Sequence, residues 1–123
     1  MPFEIHDEGG YYFARLLGVV DQTDLDGMLA ETERLEDVVT KDRLTDLTAI
    51  EHINVGFEDV FAVALRRAQR VIPAPIRSAL VADKPILFGF ARMFQMLNDN
   101  PRVQIRIFGS LEEAQQWLLS SRR

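Results

Sequence analysis

Along the whole chain, short apolar runs alternate with longer stretches in which apolar positions recur every three or four residues, so strands and helices are expected in turn. FEIHD (3 to 7) and YYFARLLGVV (11 to 20) flank Gly9-Gly10. Glycine takes positive φ without steric cost, so this dipeptide suits a hairpin and the chain should open antiparallel. The stretch TDLDGMLAETERLED places Leu25, Met28, Leu29, Thr32 and Leu35 on one helical face, and Glu31, Glu33, Glu36 and Asp37 toward water. Thr23 or Asp21 is the expected cap. A strand, RLTDLT (43 to 48), precedes a second helix from about Phe57 to Arg70, whose predicted inward stripe is Phe57, Val60, Phe61, Ala64, Leu65 and Ala68. Pro73 and Pro75 forbid its continuation.

IRSALVAD (76 to 83) reads as another strand, and Pro85 then opens ILFGFARMFQML, a third helix ended near Asn98 by the turn residues NDNP. VQIRIF (103 to 108) is the last strand. Ser110 begins an expected capping box, with Glu113 reaching back to the cap amide, and opens a final helix whose inward positions are Leu111, Ala114, Trp117 and Leu118. The order β-β-α-β-α-β-α-β-α predicts an α/β fold on a mostly parallel sheet. Val103, Ile105 and Ile107 alternate with Gln104 and Arg106, and Arg77 points away from Ile76 and Leu80. A strand covered on both faces would be apolar throughout, so the helices are expected mainly on one face. In the third helix, Ile86, Leu87, Phe90, Met93, Phe94 and Leu97 form the predicted inward face, which leaves Phe88 and Met96 outside it near Arg92.

The length of 123 residues suits one domain, 1-123, with one core. The hydrophobic fraction of 47% and the charged fraction of 27% are those of an ordinary globular protein. No secretory leader or bilayer-spanning run is apparent, which makes the cytoplasm the expected location and integral membrane association unexpected. The lack of cysteine rules out disulfides, thiol catalysis and thiolate metal sites. A net charge of −5 opposes a phosphate backbone, and nucleic-acid binding is not expected.

Candidate chemistry is sparse. His52 beside Glu51 is the best acid/base pair on paper, but no spacing brings a nucleophile, a metal or the other histidine, His6, to it. Asp21, Asp24 and Asp26 are rich in oxygen yet lack the pattern of a calcium loop, and helix capping accounts for them more simply. No catalytic residue, metal or cofactor is therefore assigned. Arg66, Arg67 and Arg70 make a basic patch late in the second helix, which Arg77 extends across the loop. A solvated face is the favoured reading, with an anionic group of a partner or lipid head as the alternative, for which Arg92 is a further candidate. Burying a Phe or Met is worth roughly 1.5–3 kcal/mol, so Phe88 and Met96 invite a cover such as a second copy, a protein partner or an apolar ligand.

The element order and DLTAIEHINVGF (46 to 57) resemble the STAS domains, the family of bacterial anti-sigma-factor antagonists. GFARMFQMLNDNPRVQIRIFGSLEEAQQWL (89 to 118) is similar to the SpoIIAA-like (STAS/SEC14-like) branch. The family's Asp-Ser-Ser-Gly motif falls on Asn54, Val55, Gly56 and Phe57, so neither phosphorylatable serine is present. The resemblance implies a SpoIIAA-like fold without the phospho-switch; Thr45 and Thr48, both on a predicted strand, are the remaining hydroxyls nearby. The function expected from it is a non-enzymatic binding or regulatory module that recognises a protein partner or itself. Asn54, Val55, Gly56, Phe57, Phe88, Arg92 and Met96 are its candidate surface. The alternative is a carrier of a small apolar or anionic ligand.

Overall fold

The structure, a computed structural model, describes residues 3–120. Strands β1 (Phe3–Asp7) and β2 (Tyr11–Leu16) form the predicted hairpin, antiparallel from Phe3 opposite Leu16 to Asp7 opposite Tyr12. Gly9 takes φ 91°, and its amide donates to Asp7 Oδ1, which closes the turn. The rest follows as β3 (Gly18–Val20), α1 (Gln22–Val38), β4 (Asp42–Asp46), β5 (Ile50–Ile53), α2 (Phe57–Ala68), β6 (Ile76–Val81), α3 (Pro85–Leu97), β7 (Val103–Phe108) and α4 (Leu111–Leu119).

Two strands depart from the sequence reading. The run 11 to 20 breaks at Gly18, whose φ of 65° turns the chain so that Gly18–Val20 leaves the main sheet as β3. Its partner is β5, a strand within the segment expected to be a loop before α2. The pair is parallel, and Gly18 N–H to Ala49 O at 3.0 Å and Asn54 N–H to Val20 O at 2.7 Å close its ends. Gly18 was a weak sequence signal because Val19 and Val20 continue the apolar run across it.

The main sheet runs β1-β2-β4-β6-β7, parallel except for the β1 edge. Side chains alternate between its faces. Ala14, Leu16, Leu80, Val103 and Ile105 meet α1 and α3, while Phe13, Leu44, Ala79 and Val81 pack on Ala114, Trp117 and Leu118 of α4. Helices α1, α2 and α3 thus cover one face and α4 alone lies on the other, where it screens the central strands and leaves Gln104 and Arg106 of the β7 edge exposed.

The arginine of β6 is buried rather than open to solvent. Arg77 donates through Nη1 to Trp117 O and Ser120 Oγ, at 2.5 and 2.8 Å, and its guanidinium lies 5.2 Å from the Trp117 ring centre. It satisfies carbonyls at the end of α4, so it does not extend the basic patch of α2, which packs on the opposite face.

Capping explains the acidic start of α1. Asp21 is the cap: its Oδ1 accepts from Asp24 N–H at 3.0 Å, and Asp24 Oδ2 accepts from Asp21 N–H at 2.9 Å. Asp26 accepts from Gln22, so these carboxylates already have partners within the helix end. At α4 Ser110 is the cap, but the box is not the expected one: its hydroxyl accepts from Glu113 N–H and itself donates to the Glu113 carboxylate, which therefore meets the hydroxyl instead of the cap amide.

Candidate functional site

The inner face of the helical layer carries a charged seam that the hydrophobic pattern did not anticipate. Glu36 was expected in water, but seven residues beyond Leu29 it returns to the buried face of α1. It is 7% exposed and sits among arginines. Its carboxylate accepts from Arg43 Nη1 at 2.8 Å, from Arg67 Nη1 at 3.0 Å and from Arg67 Nη2 at 2.9 Å. Arg66 donates to Glu33 at 2.6 Å, and Arg70 donates to Asp37 at 2.6 Å and to the Glu33 carbonyl at 2.9 Å. Burial pushes the Glu33 carboxyl up, but the Arg66 hydrogen bond and the charges of Arg66, Arg67 and Arg70 outweigh it and hold the group below its usual 4.5.

Of the three arginines of that patch Arg67 is buried, Arg70 is half-buried and Arg66 stays at the solvent surface, and all three are paired with acidic groups of α1. They join α2 to α1, and their positions on the helix decide how α2 is rotated. Val60, Ala64 and Arg67 point inward, whereas Phe57, Phe61 and Leu65, predicted inward, lie in an exposed line four residues apart. The predicted stripe holds apolar residues alone, and the pairing of Arg67 with the buried Glu36 carboxylate turns α2 away from it by part of a turn.

The line Phe57, Phe61, Leu65 runs along the side of α2 next to α3, where the Phe57 and Phe90 rings stand 5.4 Å apart. On α3 only Leu87 and Ala91 are fully buried, and Phe90, Met93, Phe94 and Leu97 are half-buried. Ile86, predicted inward, is exposed in the first turn of the helix. Phe88 and Met96 lie outside the core as expected, 49% and 73% exposed, with Arg92 between them donating to Gln95 Oε1.

Asn54 and Gly56 are exposed and Val55 packs against the core beside β5. Gly56 caps α2, its N–H donating to Asp59 Oδ2 at 2.9 Å. Asp46, at the end of β4, is almost wholly buried. It accepts from Arg15 Nε at 2.8 Å and from the amide and hydroxyl of Thr48 at 2.9 and 2.7 Å. Lys84, before α3, donates to the Thr48 and Ile50 carbonyls and ties that helix start to the same corner.

Beneath α2 and α3 the helices stand away from the sheet around a cavity of about 130 Å³. Its walls are chiefly apolar, among them Leu16, Met28, Leu80 and Phe94. Arg43 and Thr45 of β4 and Ser78 of β6 provide polar groups on its floor. No alternation rule could have found it, because a cavity depends on how far two layers separate rather than on which residues face inward.

Strand order, one-sided helical layer and α4 on the reverse face can now be set beside known structures. One solved structure, an uncharacterized protein of the DUF3478 family with a SpoIIAA-like fold from Shewanella loihica PV-4, superposes with a TM-score of 0.59 over 94% of this chain and 91% of that one. The fold is SpoIIAA-like. Sequence identity to that protein is 16%, so the likeness is one of fold. No family model and no curated protein matches the chain. In this SpoIIAA-like chain His52 and Glu51 are exposed on β5, and His6 pairs with Glu4 on the β1 edge of the other sheet, so the histidines are not gathered into one site. Among the described residues no three acidic or histidine side chains are grouped to hold a metal, and no helix is long and apolar enough to cross a membrane.

Proposed function

We propose that this chain is a non-enzymatic cytoplasmic binding module that recognises a protein partner or a second copy of itself through the outer face of α2 and α3. The observation that carries the reading is the exposed apolar line Phe57, Phe61 and Leu65 on α2, whose Phe57 meets Phe90 of α3, together with exposed Ile86, Phe88 and Met96 on α3. Each such side chain gains roughly 1.5–3 kcal/mol when fully covered, so several exposed apolar side chains on two neighbouring helices favour a partner surface. Asn54, Val55 and Gly56 adjoin it at the start of α2, and Arg92 supplies a charge beside Phe88 and Met96.

The module works without a serine switch. Asn54 and Gly56 carry no hydroxyl, the Thr48 hydroxyl is engaged by Asp46, and Thr45 faces the cavity rather than the partner surface. A second reading, a carrier of a small apolar or anionic ligand, is favoured by the cavity beneath the same helices. Native mass spectrometry of freshly purified protein separates the two. A dimer or a bound protein that is lost in the Phe88→Asp, Met96→Asp double variant supports the surface, and a monomer carrying small-molecule mass supports the cavity. A bare monomer at all concentrations, unchanged by those substitutions, contradicts self-association.

A further inference from the structure

We propose that the cavity under α2 and α3 binds a small monocarboxylate with a compact apolar body, whose carboxylate is received by Arg43. The inference rests on the carrier reading above and specifies the ligand's chemistry. Size sets the first limit. A cavity of about 130 Å³ is close to the engineered apolar cavity of about 150 Å³ that holds a benzene ring, so the body is a single ring or a short chain.

Polarity sets the second limit. Arg43 lines the cavity with its side chain 11% exposed, and Nη1 is taken by Glu36, yet Nε is buried with no hydrogen-bond acceptor among the described residues. Buried donors are nearly always paired, and a guanidinium edge is shaped for a carboxylate. The hydroxyls of Thr45 and Ser78 stand on the same cavity floor as further donors.

Charge sets the third. Arg43, Arg66, Arg67 and Arg70, four cations, meet Glu33, Glu36 and Asp37, three anions, in direct ion pairs, so the seam has one positive charge in excess. Asp26 acts on Arg66 only at longer range, at the solvent side. A cation would be repelled, a neutral acceptor would pair Nε but leave the surplus charge unmatched, and a dianion would exceed the surplus. One carboxylate matches it.

The test uses the full chain and three probes: benzoate, its neutral isostere benzamide, and acetate, which has the charge without the body. Calorimetry should show saturable 1:1 binding of benzoate, with benzamide weaker by about tenfold or more and acetate showing no saturation. Benzoate should also raise the unfolding temperature. Arg43→Gln should bring benzoate down to the affinity of benzamide. Because Arg43 also holds Glu36, a variant that spares the ion pairs carries the same test. Ala91→Leu extends a buried cavity-wall residue into the space and should abolish benzoate binding while the unfolding temperature is kept or raised. Benzamide binding as tightly as benzoate overturns the carboxylate assignment and leaves the carrier reading standing. Benzoate binding undiminished in Ala91→Leu overturns the cavity as the site. Failure of all three probes, as for a cavity holding only water, overturns the proposal; if native mass spectra then still show a small-molecule mass, the carrier reading survives with a ligand of another class.

Discussion

Glu36→Ala is the most demanding test of how the helical layer is held together. The substitution removes a side chain that is 3% exposed and strands two guanidinium groups, those of Arg43 and Arg67, which are 11% and 7% exposed. With so little solvent to screen them, the loss is that of breaking a buried ion pair, about 3–5 kcal/mol. Arg67 keeps a 3.5 Å contact with Glu33, which places the expected value at the lower end of that range. Against a total stability of roughly 5–15 kcal/mol this is a large fraction. It corresponds to a fall in unfolding temperature of about 10–20 °C for a domain of this size. Urea denaturation followed by far-UV circular dichroism measures it, with the slope checked for two-state behaviour. A triple variant, Glu36→Leu with Arg43→Met and Arg67→Met, replaces every charge by an apolar group of similar volume and should recover most of the loss. A loss below about 1 kcal/mol for Glu36→Ala would refute the buried seam, since that is the range of an exposed pair. A triple variant as unstable as the single one would refute the attribution to unpaired charge.

Acid should loosen the same seam. Glu33 has a folded-state value below its usual 4.5, so its contribution is fully present above 4.5 and is lost as pH falls through that value and then the lower folded one. A stability profile that is flat across that acid range contradicts the assignment. The Phe88→Asp, Met96→Asp double variant should leave the urea midpoint nearly unchanged, because both side chains are already exposed, while sedimentation or native mass reports any lost association. Asp46→Ala leaves Arg15 and Thr48 without their shared acceptor and should cost about 2–3 kcal/mol by denaturation, with Thr48→Val costing about 1. Gly18→Ala puts a Cβ on a residue at φ 65° and should cost about 1–2 kcal/mol, whereas Gly89→Ala, in α3 with open space around it, should be neutral or slightly stabilising.

Within the site, the residues legible from sequence were those whose environment is set by their own element. Phe88 and Met96 fell outside the inward arc of α3 by helical geometry alone, and they are exposed. The hairpin at Gly9-Gly10, the Pro85 start of α3 and the Ser110 cap followed from local stereochemistry in the same way. The burial of Arg67 and the pairing of Arg66, Arg67 and Arg70 are not legible from sequence because their partners, Glu33, Glu36 and Asp37, lie more than thirty positions earlier on another helix. Phe57, Phe61 and Leu65 were misplaced for the same reason, since the rotation of α2 answers to those carboxylates.

The sequence by itself determined the alternation of strands and helices, the antiparallel opening, the parallel remainder and the one-sided bias of the helices. Each follows from periodicity and turn chemistry that act over a few residues. Only the tertiary structure decided that Gly18–Val20 leaves the sheet to pair with Ile50–Ile53, that α2 turns an arginine inward and its phenylalanines outward, and that a cavity with Arg43 on its floor opens beneath it. Those outcomes depend on charges and surfaces brought together from distant parts of the chain. Their energies exist only once the layers have packed.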